Sequence, residues 1–203
     1  MKKYAVLHEP GDIVTLAGTR FVVLDVERRG SLPDSLFLLA LESVGASEFG
    51  SSNNYAESDL KKAVDKWLED MGKRGLDNAK LIPREIDLTT LDGSGCYGKL
   101  SVKAAPLTLD EAREYADIIP NAERWCWLAT GWSGPSKSDG DLALCVNSNG
   151  DWYNYNCSYS NGIRPALKVP SILFEDSEAG LDLSKIPTDD LLQEIHRRLA
   201  EKA

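Results

Sequence analysis

The sequence predicts an α+β fold. Strand-like runs gather at the two ends of its first 170 residues, and two helical patterns lie between them. These elements do not alternate as strand, helix, strand, so a parallel βαβ sheet is not expected. No segment repeats at a fixed period.

The elements follow in order. DIVTLAGTRFVVLDV (12–26) reads as a β-hairpin, two β-rich runs around the small residues Ala17, Gly18 and Thr19. SLFLLALE (35–42) is a continuous apolar run, the mark of a buried strand. A polar loop follows. Ser58 then caps a helix from Asp59 to about Met71, with Leu60, Val64, Trp67, Leu68 and Met71 on one face and Gly72 and Gly75 as stop signals. Pro83 and the glycines of 93–98 predict loops and short strands over 79–100. Thr108 and Glu111 have capping-box spacing for a second helix that Pro120 ends. RWCWLAT (124–130) predicts a strand of alternating character, LALCV (142–146) another, and IRPALKV (163–169) the last of the core, with Pro165 marking an edge or a bulge.

After residue 170 the composition changes. Residues 171–187 read as an acidic linker, and 188–203 as an amphipathic helix with Leu191, Leu192, Ile195 and Leu199 on one stripe. One short helix is not stable alone, so this helix either docks on the core or pairs with another chain. The expected organisation is a domain over 1–170, the linker, and the appended C-terminal helix.

Charge and composition exclude some functions. The chain of 203 residues has a net charge of −9 and no basic run, which argues against a nucleic-acid partner. No stretch is long and apolar enough for membrane insertion. The first residues, MKKYAVLHEPGDIV, lack the apolar core of a signal peptide, so cytoplasmic synthesis is expected. Cys96, Cys126, Cys145 and Cys157 form no CxxC pair and are expected as reduced thiols. His8 and His196 lie at opposite ends of the chain, far from any nucleophile in sequence, and read as surface residues. GSGCYG (93–98) lacks the strand-to-helix setting of a phosphate loop. Asp139 and Asp141 flank Gly140 in a polar turn that reads as solvated. No catalytic residue, metal ligand or cofactor is expected.

One window stands out. NSNGDWYNYNCSYSN (147–161) holds three of the 7 tyrosines and a single charge, Asp151. Asn and Gly suit turns, but a turn has no need of Tyr. Tyr with Ser, Asn and Gly is the alphabet of binding loops, because Tyr gives rigid amphipathic area and Asn adaptable hydrogen bonds. Trp67 reads as core, Trp125 and Trp127 as core or wall, and Trp132 and Trp152 as exposed in loops.

Taken together, RWCWLATGW (124–132), LALCVNSNGDWY (142–153) and GIRPAL (162–167) resemble the C-terminal half of C-type-lectin-fold proteins of the formylglycine-generating-enzyme group. They are most similar to the variable proteins of diversity-generating retroelements. NYAESDLKKAVDKWL (54–68) and APLTLDEAREY (105–115) resemble the middle of such proteins. The resemblance spans about 12–170. It implies a C-type-lectin-like fold of short antiparallel strands and two core helices. It also implies a cassette in which adenines of AAY codons are mutated, yielding Asn, Tyr, Ser, Cys and Asp. The implied ligand contacts are Asn147, Asn149, Asp151, Tyr153, Asn154, Tyr155, Asn156, Ser158, Tyr159 and Asn161, joined by Trp132 from the preceding loop. Gly162 to Leu167 would be the constant strand, and Trp152 a constant wall. The implied partner is a protein or cell-surface ligand, with no enzyme activity, and the implied setting extends to a phage or virion component, tethered or oligomerised through the last helix. Two other expectations follow from the same group. One is an oxidase relative using Cys145 and Cys157. The other is a calcium-dependent sugar-binding lectin, although the acidic-Pro-Asn ligand motif is missing.

Overall fold

The computed structural model describes residues 8–29, 32–174 and Leu192. Apart from Leu192, the predicted C-terminal helix (188–203) lies outside the described residues, as does most of the linker. Within them the protein is α+β and mostly strand.

The first sheet begins with the predicted hairpin. Strands β1 (Ile13–Leu16) and β2 (Thr19–Arg29) pair antiparallel around Ala17 and Gly18, both at positive φ. Two successive positive-φ residues match the right-handed twist of a two-residue hairpin. Next comes β3 (Leu32–Ala40) beside β2, and the two form long arms with register shifts near Leu24 and Glu27. Sheet order is β1-β2-β3-β12-β7, where β7 is Ala104–Ala105 and β12 is Ala166–Pro170. The second sheet runs β10-β9-β8-β11-β4, comprising β4 (Ala46–Glu48), β8 (Cys126–Gly131), β9 (Leu142–Val146), β10 (Trp152–Asn156) and β11 (Ser160–Gly162). All its pairings are antiparallel except β8 with β11. Strands β5 (Arg84–Asp87) and β6 (Lys99–Val102) form a separate hairpin, as the loop-rich stretch predicted.

Helix α1 (Asp59–Lys73) starts where expected, with Ser58 Oγ accepting from the Lys61 N–H at 2.9 Å. Leu60, Val64 and Met71 are buried, while Trp67 and Leu68 are half-buried at its margin. Gly72 is not a stop. It lies inside the helix, and a Cβ there would stand 2.9 Å from Asn78 Nδ2. Helix α2 (Leu109–Glu114) has the predicted capping box. It ends before Pro120: the Ala116 N–H turns onto the Arg113 carbonyl and the Ile118 N–H onto that of Tyr115, each three residues back. Arg84, nearly buried, pairs with Glu111 and donates to the Ala105 and Pro106 carbonyls, fastening β5 to the start of α2.

Two apolar clusters explain the continuous hydrophobic runs. Phe21 and Val23 face α1, Phe49, Tyr55, Trp127 and Cys145; Val22 and Leu24 face α2, Leu128 and Leu144. A strand covered on both faces has no reason to alternate. β8 is therefore buried at all six positions instead of alternating as expected.

The chain crosses between the two sheets over Gly162–Pro165. Gly162 donates its N–H to the Trp125 carbonyl at 2.7 Å. A Cβ at Gly162 would meet Cys126 Sγ, Ser43 Oγ and the Trp125 carbonyl, each at 2.9 Å. Arg164 is buried and donates from Nε to the Ala40 carbonyl (2.7 Å) and from Nη1 to that of Pro120 (2.9 Å). Its Nη2 is buried without a partner and the side chain lines a small apolar cavity. The expected strand over 163–169 is thus shorter at its start. Pro165 precedes β12, which sits inside its sheet between β3 and β7, so no edge or bulge is needed for the proline.

Gly162→Ala is expected to lower stability by about 1–3 kcal/mol through overpacking. Arg164→Met should lower it by about 2–3 kcal/mol, because two buried carbonyls lose charged donors. Urea unfolding of both variants checks these values, and a neutral Gly162→Ala would contradict the close packing.

Candidate functional site

The Tyr- and Asn-rich window is not a loop. It forms β10, a short turn and β11, on the second sheet. Asn147 makes the hairpin that starts it. Its Oδ1 accepts from the Asn149 N–H (2.8 Å) and the Asp151 N–H (2.9 Å), and its Nδ2 donates to Asp151 Oδ2 (3.0 Å). Gly150 takes positive φ at the tip. At the far end, Asn156 Oδ1 accepts from Ser158, and its Nδ2 donates to Asp141 at 2.6 Å. The Cys157 thiol is buried there, and its N–H donates to the Asp141 carbonyl at 2.7 Å.

Between these fastenings, alternation decides which side chains share a face. Tyr153 stands opposite Cys145, and Tyr155 opposite Ala143. Both lie beside Trp125, at ring-centroid distances of 5.0 and 5.6 Å. Tyr159 meets Tyr155 edge-on at 4.7 Å. The result is one continuous aromatic surface. Tyr153, Tyr155 and Tyr159 remain 46%, 38% and 55% exposed. Edge-to-face contacts of this kind hold rings in place. Trp152 starts the opposite face of β10, with the Arg113 guanidinium 5.4 Å above its ring.

The support beneath is a packed aromatic layer. Trp127 is buried, packs edge-on against Phe49 at 5.5 Å and donates from Nε1 to the Ser47 carbonyl at 2.9 Å. Buried Asn53 accepts from the Tyr97 hydroxyl (2.6 Å) and donates to the Ser133 and Leu142 carbonyls (both 2.9 Å), which fixes the loop entering β9.

The implied contact residues therefore divide. Asn149, Asp151, Tyr153, Tyr155, Ser158 and Tyr159 are exposed, and Asn154 is half-buried. Asn147 is only 7% exposed and its amide is spent on the hairpin, so it leaves the contact set. Asn156 and Asn161 are half-buried, and the former is spent on Asp141 and Ser158. Trp132 packs among the residues around Leu128 and Leu144, away from the tyrosines. Trp125, expected as core or wall, is half-buried against the main core and also completes the aromatic surface. Its position just before β8 carries no sequence signal of that contact.

The other candidates are quickly placed. His8 is buried, not on the surface, with Nδ1 3.5 Å from Asp12 Oδ2. His196 lies outside the described residues. Cys126, Cys145 and Cys157 are buried free thiols, and burial pushes them up to about 11, 12 and 12. Cys96 is an exposed free thiol. Among the described residues no group of three or more His, Cys, Asp or Glu could hold a metal, and no helix is long and apolar enough to cross a membrane. Comparison of the chain with models of known families, with curated proteins and with solved structures finds no match.

The thiolate is the reactive form of cysteine, so burial makes a clear expectation. At pH 8 iodoacetamide should label Cys96 rapidly in the native protein and reach all four cysteines only in denaturant. Fast native labelling of Cys145 or Cys157, read by peptide mass, would contradict their placement.

Proposed function

We propose that the protein is a binding module, with a C-type-lectin-like fold, that presents a diversified surface in the manner of retroelement variable proteins. The observation that carries this reading is the joined aromatic surface of Trp125, Tyr153, Tyr155 and Tyr159. Exposed tyrosines contribute little to a fold, and three of them in one short segment, mutually oriented and left facing solvent, suit recognition. Asn147, Asn156 and the buried Cys157 hold the segment in shape at its two ends, which lets the exposed residues differ without loss of the scaffold. Recognition uses ring stacking and amide hydrogen bonds with no cofactor. The raised thiols of Cys145 and Cys157 weigh against a copper-dependent oxidase, which needs accessible thiolates.

A library tests this reading without knowledge of the ligand. Randomising Asn149, Asp151, Tyr153, Asn154, Tyr155, Ser158 and Tyr159 together should leave most members folded, with melting temperatures within about 5 °C of the parent. Selection from that library should yield binders to unrelated proteins. Collapse of most members would show that these side chains serve the fold and would end the proposal. In the surrounding DNA, the proposal expects a reverse transcriptase gene and a near-copy of the codons for about 125–165 that differs at adenines.

A further inference from the structure

β10 is an edge strand, and its hydrogen bonds reveal which backbone groups it offers. The Asn147 N–H donates to the Asp151 carbonyl, and the Cys157 N–H to the Asp141 carbonyl. Both pairs are in register with Tyr153 opposite Cys145 and Tyr155 opposite Ala143. In an antiparallel ladder, bonded and non-bonded pairs alternate. Tyr153 and Tyr155 therefore direct their backbone groups at β9, and Trp152, Asn154 and Asn156 direct theirs away from the sheet. The Asn156 carbonyl accepts from the Tyr159 N–H. Both backbone groups of Trp152, both of Asn154 and the Asn156 N–H face outward with no strand beside them among the described residues.

Proteins usually guard such an edge with Lys, Pro or a bulge. β10 has none of these: its sequence is WYNYN and its five pairs with β9 run without a break. The opposite edge, β4, is only three residues long and carries Glu48.

Charge selects the occupant. Asp151 precedes β10, and Asp141 is bonded to Asn156 at its other end. Both carboxylates are exposed, and among the described residues neither has an ion-pair partner. The cation near this strand, Arg113 over Trp152, is paired with Asp110. A second copy pairing antiparallel about Asn154 would bring each Asp151 toward the other copy's Asp141, so self-association is opposed. An extended chain with basic residues near both ends of the strand matches instead. From its first residue to its last the strand spans about 14 Å, which puts those residues about four positions apart. Tyr153 and Tyr155 would then lie under alternate side chains of the guest, where rings accept both apolar and cationic groups.

We propose that the free edge of β10 captures an extended, Lys- or Arg-bearing segment of a partner protein as an added strand. This rests on the reading of the same face as a recognition surface, and it names the partner's chemistry. Main-chain pairing does not depend on side-chain identity, so the edge still pairs while the exposed residues differ, and the preference for basic segments holds where Asp141 and Asp151 are retained.

The test begins with a displayed random heptapeptide library selected on the full-length protein, followed by fluorescence anisotropy of the enriched peptides. Enriched peptides should carry two basic residues about four positions apart. Asn154→Pro removes an outward N–H that has no part in the β9 ladder, so it should keep the melting temperature and weaken binding at least tenfold. N-methylation of alternate peptide amides should do the same to the unaltered protein, which covers the case in which the proline variant unfolds. Asp141→Asn with Asp151→Asn should weaken binding severalfold at low salt and less at high salt. Peptides that bind Asn154→Pro as well as the parent and tolerate N-methylation, peptides without basic residues, or no enrichment at all would overturn the proposal. Binders that lose affinity on replacement of Tyr153, Tyr155 and Tyr159 by Ala yet ignore Asn154→Pro would overturn strand addition and leave the recognition reading standing.

Discussion

The crossover at Gly162–Pro165 is the constraint on which the rest depends. Here the chain leaves one five-stranded sheet and enters the other within a few residues. Gly162 is pressed against Cys126, Ser43 and the Trp125 carbonyl, so that β11 can reach β8. Arg164 grips the ends of β3 and of the α2 loop through two carbonyls more than forty residues from it in sequence. A buried guanidinium without a carboxylate is costly, and that burial holds its pKa below the usual arginine range. Its place is justified by what it ties together. The same contact sets Trp125, whose carbonyl receives the Gly162 N–H, and Trp125 is the ring against which Tyr153 and Tyr155 stand. The join between the sheets thereby also positions the aromatic surface.

The second sheet divides labour by residue parity. Along β10 the odd residues spend their backbone on β9 and present tyrosine side chains on the face of Trp125. The even residues turn their backbone outward. Asn147 and Asn156 close the two ends with side-chain bonds, and Cys157 anchors the exit by burial. A surface built on a strand held at both ends loses little entropy when it meets a ligand. That is the physical advantage of placing such residues on a sheet instead of a free loop.

Much of this was legible in the sequence, and what was not has definite causes. The hairpin at Ala17–Gly18, the Ser58 cap and the Thr108 capping box could be read because short-range chemistry decides them. The alternation expected of RWCWLAT failed because both faces of β8 are covered, a fact that depends on which distant elements pack there. Pro165 was read as an edge or bulge residue because nothing local shows that the strand starts one residue later. In the window, residue type pointed to a surface, but β10 itself was missed: Asn is a poor strand former, and only pairing with LALCV overrides that preference. Trp125 reads as core or wall, and its meeting with the tyrosines has no local signal, since those contacts come from residues 28 and more positions away.

Asparagine shows best why composition alone overstates the site. Asn147, Asn149, Asn154 and Asn156 are chemically identical, and on the proposed reading one codon type would diversify them all. The fold separates them. Asn147 replaces a backbone bond at a hairpin, and Asn156 holds Asp141 and caps a turn. Losing Asn147 would leave part-buried hairpin groups unpaired, at a cost of about 1–3 kcal/mol, and losing Asn156 would loosen an exposed turn. Asn149 is exposed and Asn154 half-buried, and the side chain of neither is drawn into such a bond. A surface that is to vary must therefore vary at fewer positions than its composition suggests. The tyrosines, gathered around Trp125 but contributing no backbone strain and filling no core, are where change costs the fold least and, on the proposed reading, alters recognition most.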